Sequence, residues 1–154
     1  MRMRPKKNRD KRMEKVKALF MPLGENGVAE LNNAYGFEGD LYLEIGCGKG
    51  AFITGMSKRY PDKRLLAVEL VPDVLMMAME KAEREETVNV RFLQANAENI
   101  DEIIPHGSVK HLYLNFSDPW SKKGYAKRRL THRRYLSVYF NLLKDGGTLT
   151  FKTD

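Results

Sequence analysis

The sequence predicts one α/β domain, a parallel sheet with helices on both faces. Two observations lead to this fold class. Short segments rich in aliphatic, aromatic and β-branched residues alternate along the chain with segments of helical periodicity. The chain has 154 residues, 42% of them hydrophobic, which is enough for one core. Strands separated by helices imply right-handed crossovers and parallel pairing, with the ligand crevice beyond the carboxyl ends of the strands.

Five segments have the length and composition of strands. They are Leu41–Ile45, Arg64–Glu69, Val88–Leu93, His111–Phe116 and Thr148–Lys152. Polar residues follow several of these segments directly. Since all the carboxyl ends of a parallel sheet meet at one edge, we expect the chemistry of the protein to lie there.

Three helices are predicted between the strands. Ala51–Tyr60 follows a glycine loop, and Arg133–Leu143 precedes a turn at residues 145–147. Pro72–Glu86 begins with proline at an allowed first-turn position. One face of this last helix is expected to hold Val74, Leu75, Ala78 and Ala82. Residues 100–104 form too short a segment to assign.

The net charge of +7 is unevenly distributed. Residues 1–17 contain nine basic and two acidic residues, and residues 121–134 contain seven basic residues and no acidic one. Two positive segments on a negative remainder are explained by a polyanionic partner, through phosphate contacts and counterion release, and nucleic acid is the leading candidate. The alternative is a solvated helix face and a disordered tail. We therefore divide the chain into a basic N-terminal arm, residues 1–20, and a domain, residues 21–154.

Several features bear on location and on metals. The longest apolar run, Val74–Met79, is too short to cross a bilayer, and no signal-peptide core follows the basic N-terminus. The single cysteine, Cys47, cannot form an intrachain disulfide, so we expect a cytoplasmic protein without membrane contact. The three histidines show no ligand spacing with Cys47, and we expect no metal. Monomer and homodimer both remain open.

A glycine loop preceded by an acid closes the first strand. Its spacing, Gly-x-Gly-x-Gly from Gly46 to Gly50, differs from the Gly-x-Gly-x-x-Gly of dinucleotide-binding folds. A carboxylate at Glu44 would repel a pyrophosphate, but it would attract the sulfonium and amino groups of S-adenosylmethionine. We therefore expect Glu44, Gly46 and Gly48 to contact this cofactor. The alternative is a tight turn without a ligand, and Cys47 is expected only to pack.

Two further polar residues end neighbouring strands. Glu69 closes the second strand, where an acid accepts ribose hydroxyls in nucleotide-binding sheets. Asn96 follows the third strand and can pair with the adenine edge through its amide. We expect both to contact S-adenosylmethionine.

The most specific segment follows the fourth strand. Asp118-Pro119 ends the strand and holds the carboxylate at the sheet edge, because a residue before proline is kept extended. Trp120 packs in the core or beneath a flat base. The lysines and arginines that follow can bind phosphates on either side of a target nucleotide.

At these motifs the chain resembles the tRNA (guanine-N7)-methyltransferases, S-adenosylmethionine-dependent enzymes of class I with a Rossmann-like sheet. The resemblance extends from about residue 41 to the end of the chain. It rests on Leu43–Gly50, Asn115–Trp120, Lys127–Thr131 and Phe151–Asp154. The family usually has aspartate at the position of Asn96, and its members continue beyond the last motif. We therefore expect a Rossmann-like class I methyltransferase domain that lacks the C-terminal strands.

The resemblance implies methyl transfer to N7 of a guanine in the variable loop of tRNA. It implies a catalytic role for Asp118, and cofactor contact by Glu44, Glu69, Asn96 and Asp118. It also implies substrate contact by Lys122 and Asp154. The residues implied in RNA contact are Gly124, Tyr125, Ala126, Lys127, Arg128 and Arg129.

Three other functions remain open. An amino-methyltransferase acting on an exocyclic nitrogen of a nucleic-acid base also places a polar-Pro-aromatic motif after the fourth strand. A noncatalytic RNA-binding module on a methyltransferase fold would be compatible with Asn96. An NAD-dependent oxidoreductase is disfavoured by the glycine spacing and by Glu44.

Overall fold

A computed structural model describes residues 5–115 and 132–152. These residues form a parallel sheet of five strands in the order β3-β2-β1-β4-β5. The strands are β1 (Leu41–Ile45), β2 (Arg64–Glu69), β3 (Val90–Gln94), β4 (Val109–Asn115) and β5 (Leu143–Lys152). The helices are α1 (Arg9–Val16), α2 (Leu31–Ala34), α3 (Ala51–Arg59), α4 (Pro72–Arg84) and α5 (Arg133–Leu142). The predicted parallel α/β architecture is confirmed, and the order of strands reverses between β1 and β4.

The two faces of the sheet bury separate apolar clusters. On one face, Leu43 and neighbouring strand residues pack with Tyr139 of α5 and with Ile100 from a short 3-10 helix, Ile100–Glu102. On the other face, Ile53 of α3 and Met79 of α4 pack against β2 and β3. The alternating residues of β2 and β3 thus bury apolar side chains on both sides, as the prediction of helices on both faces requires.

Some element boundaries differ from the prediction. β3 begins at Val90 instead of Val88, because Val88 is exposed and the Asn89 side chain bonds to the preceding turn. The Asn89 amide nitrogen donates to the carbonyls of Tyr60 and Lys63 at 2.9 and 2.7 Å. In α4, Val74 is only half-buried, whereas the predicted face continues through the buried Leu75, Ala78 and Ala82.

β5 is longer than predicted, since it begins at Leu143 and includes the turn expected at residues 145–147. Val109 of β4 pairs with Leu143, but His111 pairs with Thr148, so several residues of β5 bulge opposite one residue of β4. Gly147 lies at this bulge, where a Cβ atom would come within 2.8 Å of the Lys144 carbonyl oxygen. β5 is an edge strand of the sheet that the described residues form.

The described part of the basic arm packs on the domain. Arg12 of α1 makes a two-pronged ion pair with Glu80 of α4, at 3.0 and 2.5 Å, and Val16 is buried in the core. The backbone N–H of Met21 then donates to the Phe92 carbonyl at 2.8 Å, which ties the chain to β3. The division of the chain near residue 20 stays a prediction.

Over residues 5–115 and 132–152, no helix combines the length and apolarity that a membrane span needs.

Candidate functional site

Glu44 and Asn115 meet at the carboxyl edge of the sheet, where the strand order reverses. Glu44 lies near the end of β1 and is 2% exposed, and Asn115 ends the adjacent β4 and is 6% exposed. The Asn115 Nδ2 donates to Glu44 Oε2 at 3.2 Å. Among the described residues, nothing donates to the other buried oxygen, Oε1. A ligand that carries a cationic donor would satisfy this oxygen.

The pKa of the Glu44 carboxyl group is changed by these neighbours and by burial. The pKa of Glu44 is raised to about 7, and burial is the main cause; the hydrogen bond from Asn115 lowers the pKa, and the charge of Glu69 adds a smaller rise. The side chain therefore titrates near neutral pH. A nearby positive charge would shift the balance to the carboxylate.

Glu69 holds the glycine loop in place. The loop first bonds to β2, because the N–H groups of Gly46 and Cys47 donate to the Val68 carbonyl at 2.8 and 3.0 Å. Glu69 then accepts the Gly48 N–H on Oε1 at 3.1 Å and the Val71 N–H on Oε2 at 3.0 Å. Each carboxylate oxygen keeps a further lone pair for a ligand hydroxyl. Glu69 therefore joins the loop after β1 to the segment that starts α4.

Gly48 and Gly50 differ in what surrounds them, although both have positive φ, +56° and +86°. A Cβ atom on Gly50 would lie 2.9 Å from the Cβ of Ala78, so this glycine lets α3 approach α4. A Cβ on Gly48 would meet no atom within 4 Å among the described residues. The loop thus offers open backbone at Gly48, as the contact of a ligand with the backbone requires.

Asn96 follows β3 at the same edge and is exposed. Its Oδ1 accepts the N–H of Glu98 at 2.9 Å, which fixes the amide in a turn. Cys47, in contrast, is buried, and burial raises the pKa of its thiol, with further contributions from Glu44 and Glu69. This surrounding is that of an inert packed cysteine.

The structure brings Glu44, Gly46, Gly48, Glu69 and Asn96 to one edge of the sheet. The other predicted site residues lie outside the described residues. They are Asp118, Lys122, Gly124, Tyr125, Ala126, Lys127, Arg128, Arg129 and Asp154. In the part of the chain that is described, no group of three or more His, Cys, Asp and Glu side chains is arranged to hold a metal ion.

Two interactions at this edge were not predicted from the sequence. One is the hydrogen bond from Asn115 to Glu44, and the other is the bond from Gly48 to Glu69. The available signal for the first was the position of Asn115 at the start of the Asn115–Trp120 motif, at the end of a predicted strand. That position did not indicate that the strand ending at Asn115 would lie beside β1.

The fold is that of the Rossmann-like S-adenosylmethionine-dependent methyltransferases. A methyltransferase of this kind from Aquifex aeolicus has a TM-score of 0.60 and 17% identity, over 95% of this chain and 72% of that one. Phosphoethanolamine N-methyltransferase 2 of Haemonchus contortus, in complex with S-adenosyl-L-methionine, has a TM-score of 0.58 and 18% identity, over 79% of this chain and 26% of that one.

Similarity in sequence narrows the class to a family. Residues 38–154 match a family model described as "Putative methyltransferase". The tRNA (guanine-N(7)-)-methyltransferase of Geobacillus sp. (strain WCH70) is 38% identical over 154 residues, which is 100% of this chain and 70% of that protein. The enzyme of the same name from Bacillus subtilis (strain 168) is 41% identical over 123 residues, 80% of this chain and 58% of that protein. The chain belongs to the tRNA (guanine-N7)-methyltransferase family. It spans 58% to 70% of the length of these two relatives.

Proposed function

We propose that this protein transfers the methyl group of S-adenosylmethionine to N7 of a guanine in tRNA, in the cytoplasm. The observation that carries the proposal is the 38% identity to a relative of that name along all 154 residues. The resemblance of the motifs points to a guanine of the variable loop as the target.

The described residues fit the cofactor. The buried Glu44 Oε1, which has no donor among them, suits the ammonium group of the methionine part. Glu69 would accept hydrogen bonds from the ribose hydroxyls, and Asn96 would pair with the adenine. The open backbone at Gly48 would lie beside the ligand. When bound, S-adenosylmethionine supplies an electrophilic methyl group on a cationic sulfur.

The substrate atom sets the remaining requirements. Guanine N7 carries an unprotonated lone pair at neutral pH, so no general base is needed and alignment is the main contribution to the rate. Since N7 must stay free, guanine is best recognised through its N1 and N2 donors, which carboxylates accept. We assign this role, or contact with the methionine part, to Asp118 together with Asp154. Lys122 is assigned to a phosphate or to O6.

The basic arm supplies a surface for the phosphates of tRNA. Lys7, Lys11 and Lys15 recur every four residues and are exposed. The arm runs past the cofactor edge, because the Lys6 N–H donates to Asp73 at the start of α4 at 3.0 Å. We propose that this stripe and the residues 124–129 bind the backbone on two sides of the target guanine.

Methyl transfer is tested with the purified protein, a tRNA transcript and S-adenosylmethionine labelled in the methyl group. We expect label in tRNA and strand cleavage by aniline after borohydride reduction, which is characteristic of 7-methylguanine. Asp118→Asn should abolish the incorporation. Label in a nucleoside that resists cleavage would identify an amino-methyltransferase, and cofactor binding without transfer would identify a noncatalytic module.

The tRNA surface is tested by replacing Lys7, Lys11 and Lys15 together with alanine. We expect tRNA affinity to fall about tenfold or more and the slope of log affinity against log salt to decrease by about three, with unchanged cofactor affinity. The matched control replaces Lys58, Arg59 and Lys63, which lie at the opposite, amino-terminal edge of the sheet. Equal losses in the two variants would contradict the assignment of the surface.

A further inference from the structure

Glu44 and Asn115 form a buried pair that is hydrogen-bonded on one side only. Asn115 Nδ2 donates to Oε2 of Glu44 at 3.2 Å, whereas Oε1 has no donor in the described part of the chain. Glu44 is 2% exposed, so bulk water does not reach Oε1, and the ionised form is poorly stabilised in the free protein. The geometry favours a neutral carboxyl until a donor arrives.

Among the described residues, no basic side chain contributes to the pKa shift of Glu44. From β2 the carboxylate of Glu69 faces it, and from the glycine loop the Cys47 thiol does. From β4 come Asn115 and, opposite Glu44 in the strand register, Tyr113. Of these, Asn115 is the group that donates to Glu44. It alone among them favours the ionised form.

We propose that Asn115 is a positioning residue that holds Oε2 of Glu44 and keeps Oε1 for the ammonium group of the cofactor, and that cofactor binding releases the proton of Glu44. The proposal rests on the proposed function, because it requires S-adenosylmethionine as the ligand. The proton balance is simple. The neutral carboxyl loses its proton to bulk water, and the carboxylate that remains pairs with the ammonium group.

The pH dependence follows from the direction of the shift. With a pKa of about 7 in the free protein, Glu44 is mostly neutral at pH 6 and half ionised at pH 7. We therefore expect about one proton released per cofactor bound at pH 6 and about half that at pH 7. Affinity should fall by up to about tenfold for each pH unit below 7.

Calorimetric titration with S-adenosylmethionine, in two buffers of different ionisation enthalpy between pH 5.5 and 7, counts the released protons. Glu44→Gln cannot release this proton, so it reports the titration of the ligand alone, and we expect none of the wild-type release. Asn115→Leu removes the donor to the ionised form, so its affinity should fall about tenfold at pH 7 and its pH midpoint should move upward.

The matched control is Asn141→Leu, which removes another hydrogen bond from an amide to a carboxylate, the exposed 3.1 Å bond to Asp101 near the start of β5. It should bind as the wild type does. Because Asn115→Leu could fail to fold, carbon-13 NMR of labelled glutamate in the free wild-type protein provides a second measurement. We expect one carboxyl resonance that titrates near pH 7 and is absent from Glu44→Gln.

The outcomes separate this proposal from the proposed function. Cofactor binding without proton release at pH 6, or an Asn115→Leu affinity that is reduced by the same factor at every pH, overturns the proposal and leaves methyl transfer intact. A glutamate spectrum with no titration above pH 6 does the same. A wild-type protein that binds no S-adenosylmethionine at any pH overturns the proposed function and this inference with it.

Discussion

Replacing Gly50 with alanine should destabilise the protein much more than the same change at Gly48. Both positions have positive φ, so an L residue costs about 1–2 kcal/mol at either one. At Gly50 the new Cβ would also lie 2.9 Å from the Cβ and 3.1 Å from the Cα of Ala78, inside van der Waals contact. Overpacking of this kind costs roughly a further 1–3 kcal/mol.

We expect Gly50→Ala to lower the free energy of unfolding by about 2 kcal/mol more than Gly48→Ala does. For a chain of this length, such a difference corresponds to roughly 4–8 °C in Tm. Urea unfolding followed by far-UV circular dichroism measures both variants against the wild type. Stability is a suitable assay because it does not depend on the cofactor.

A double variant tests the steric part directly. Ala78→Gly alone should cost about 1 kcal/mol, because glycine weakens a helix interior. In the Gly50→Ala background it should cost less or restore stability, since it removes the nearest atom, although the 3.1 Å approach to the Cα stays. Equal losses in Gly48→Ala and Gly50→Ala, or strict additivity in the double variant, would refute the argument from close approach.

Three further predictions concern buried polar groups, each measured by urea unfolding. Folding raises the pKa of Glu44 from 4.5 to about 7, so the contribution of this group to stability is complete below pH 4.5 and is lost as the pH rises to 7. The free energy of unfolding of Glu44→Gln, relative to that of the wild type, should therefore increase by about 3 kcal/mol over that pH range. A difference that stays constant with pH would contradict this prediction. Asn89→Ala leaves two backbone carbonyls without their donor and should cost about 2–4 kcal/mol, whereas a cost below about 0.5 kcal/mol would show that water replaces the amide. Tyr35→Phe removes the 2.7 Å bond from the buried hydroxyl to the Leu65 carbonyl and should cost about 1–2 kcal/mol, and a neutral result would mean that this carbonyl finds another donor.

Local sequence patterns predicted most of the fold. The bounds of β1 and β2 were confirmed residue for residue, and α3 differs by a single residue at its end. These elements have short apolar runs or helical periodicity between clear turn residues. The prediction was less accurate at β3 and β5. β3 starts later than predicted because the buried amide of Asn89 bonds to the preceding turn. β5 starts earlier than predicted because its pairing with β4 includes a bulge that contains two glycines.

The charge pattern gave an incomplete picture of the basic arm. Counting charges showed a positive segment at the N-terminus, but it could not separate paired from exposed residues. Arg9 and Arg12 make ion pairs with Asp73 and Glu80 of α4, more than sixty positions along the chain. Such pairs depend on how α1 packs, which the arm itself does not encode.

The sequence by itself determined β1, β2, nearly all of α3, the glycine loop and the polar residues that follow the first strands. These are local properties, because strand and helix periodicity and turn chemistry are written within a few neighbouring residues. Only the tertiary structure decided that β4 pairs beside β1, which brings Asn115 to Glu44 across 71 positions and leaves one carboxylate oxygen without a donor among the described residues. The order of strands is set by long crossovers and by packing on both faces of the sheet, so the protonation of Glu44 becomes defined only when the chain has folded.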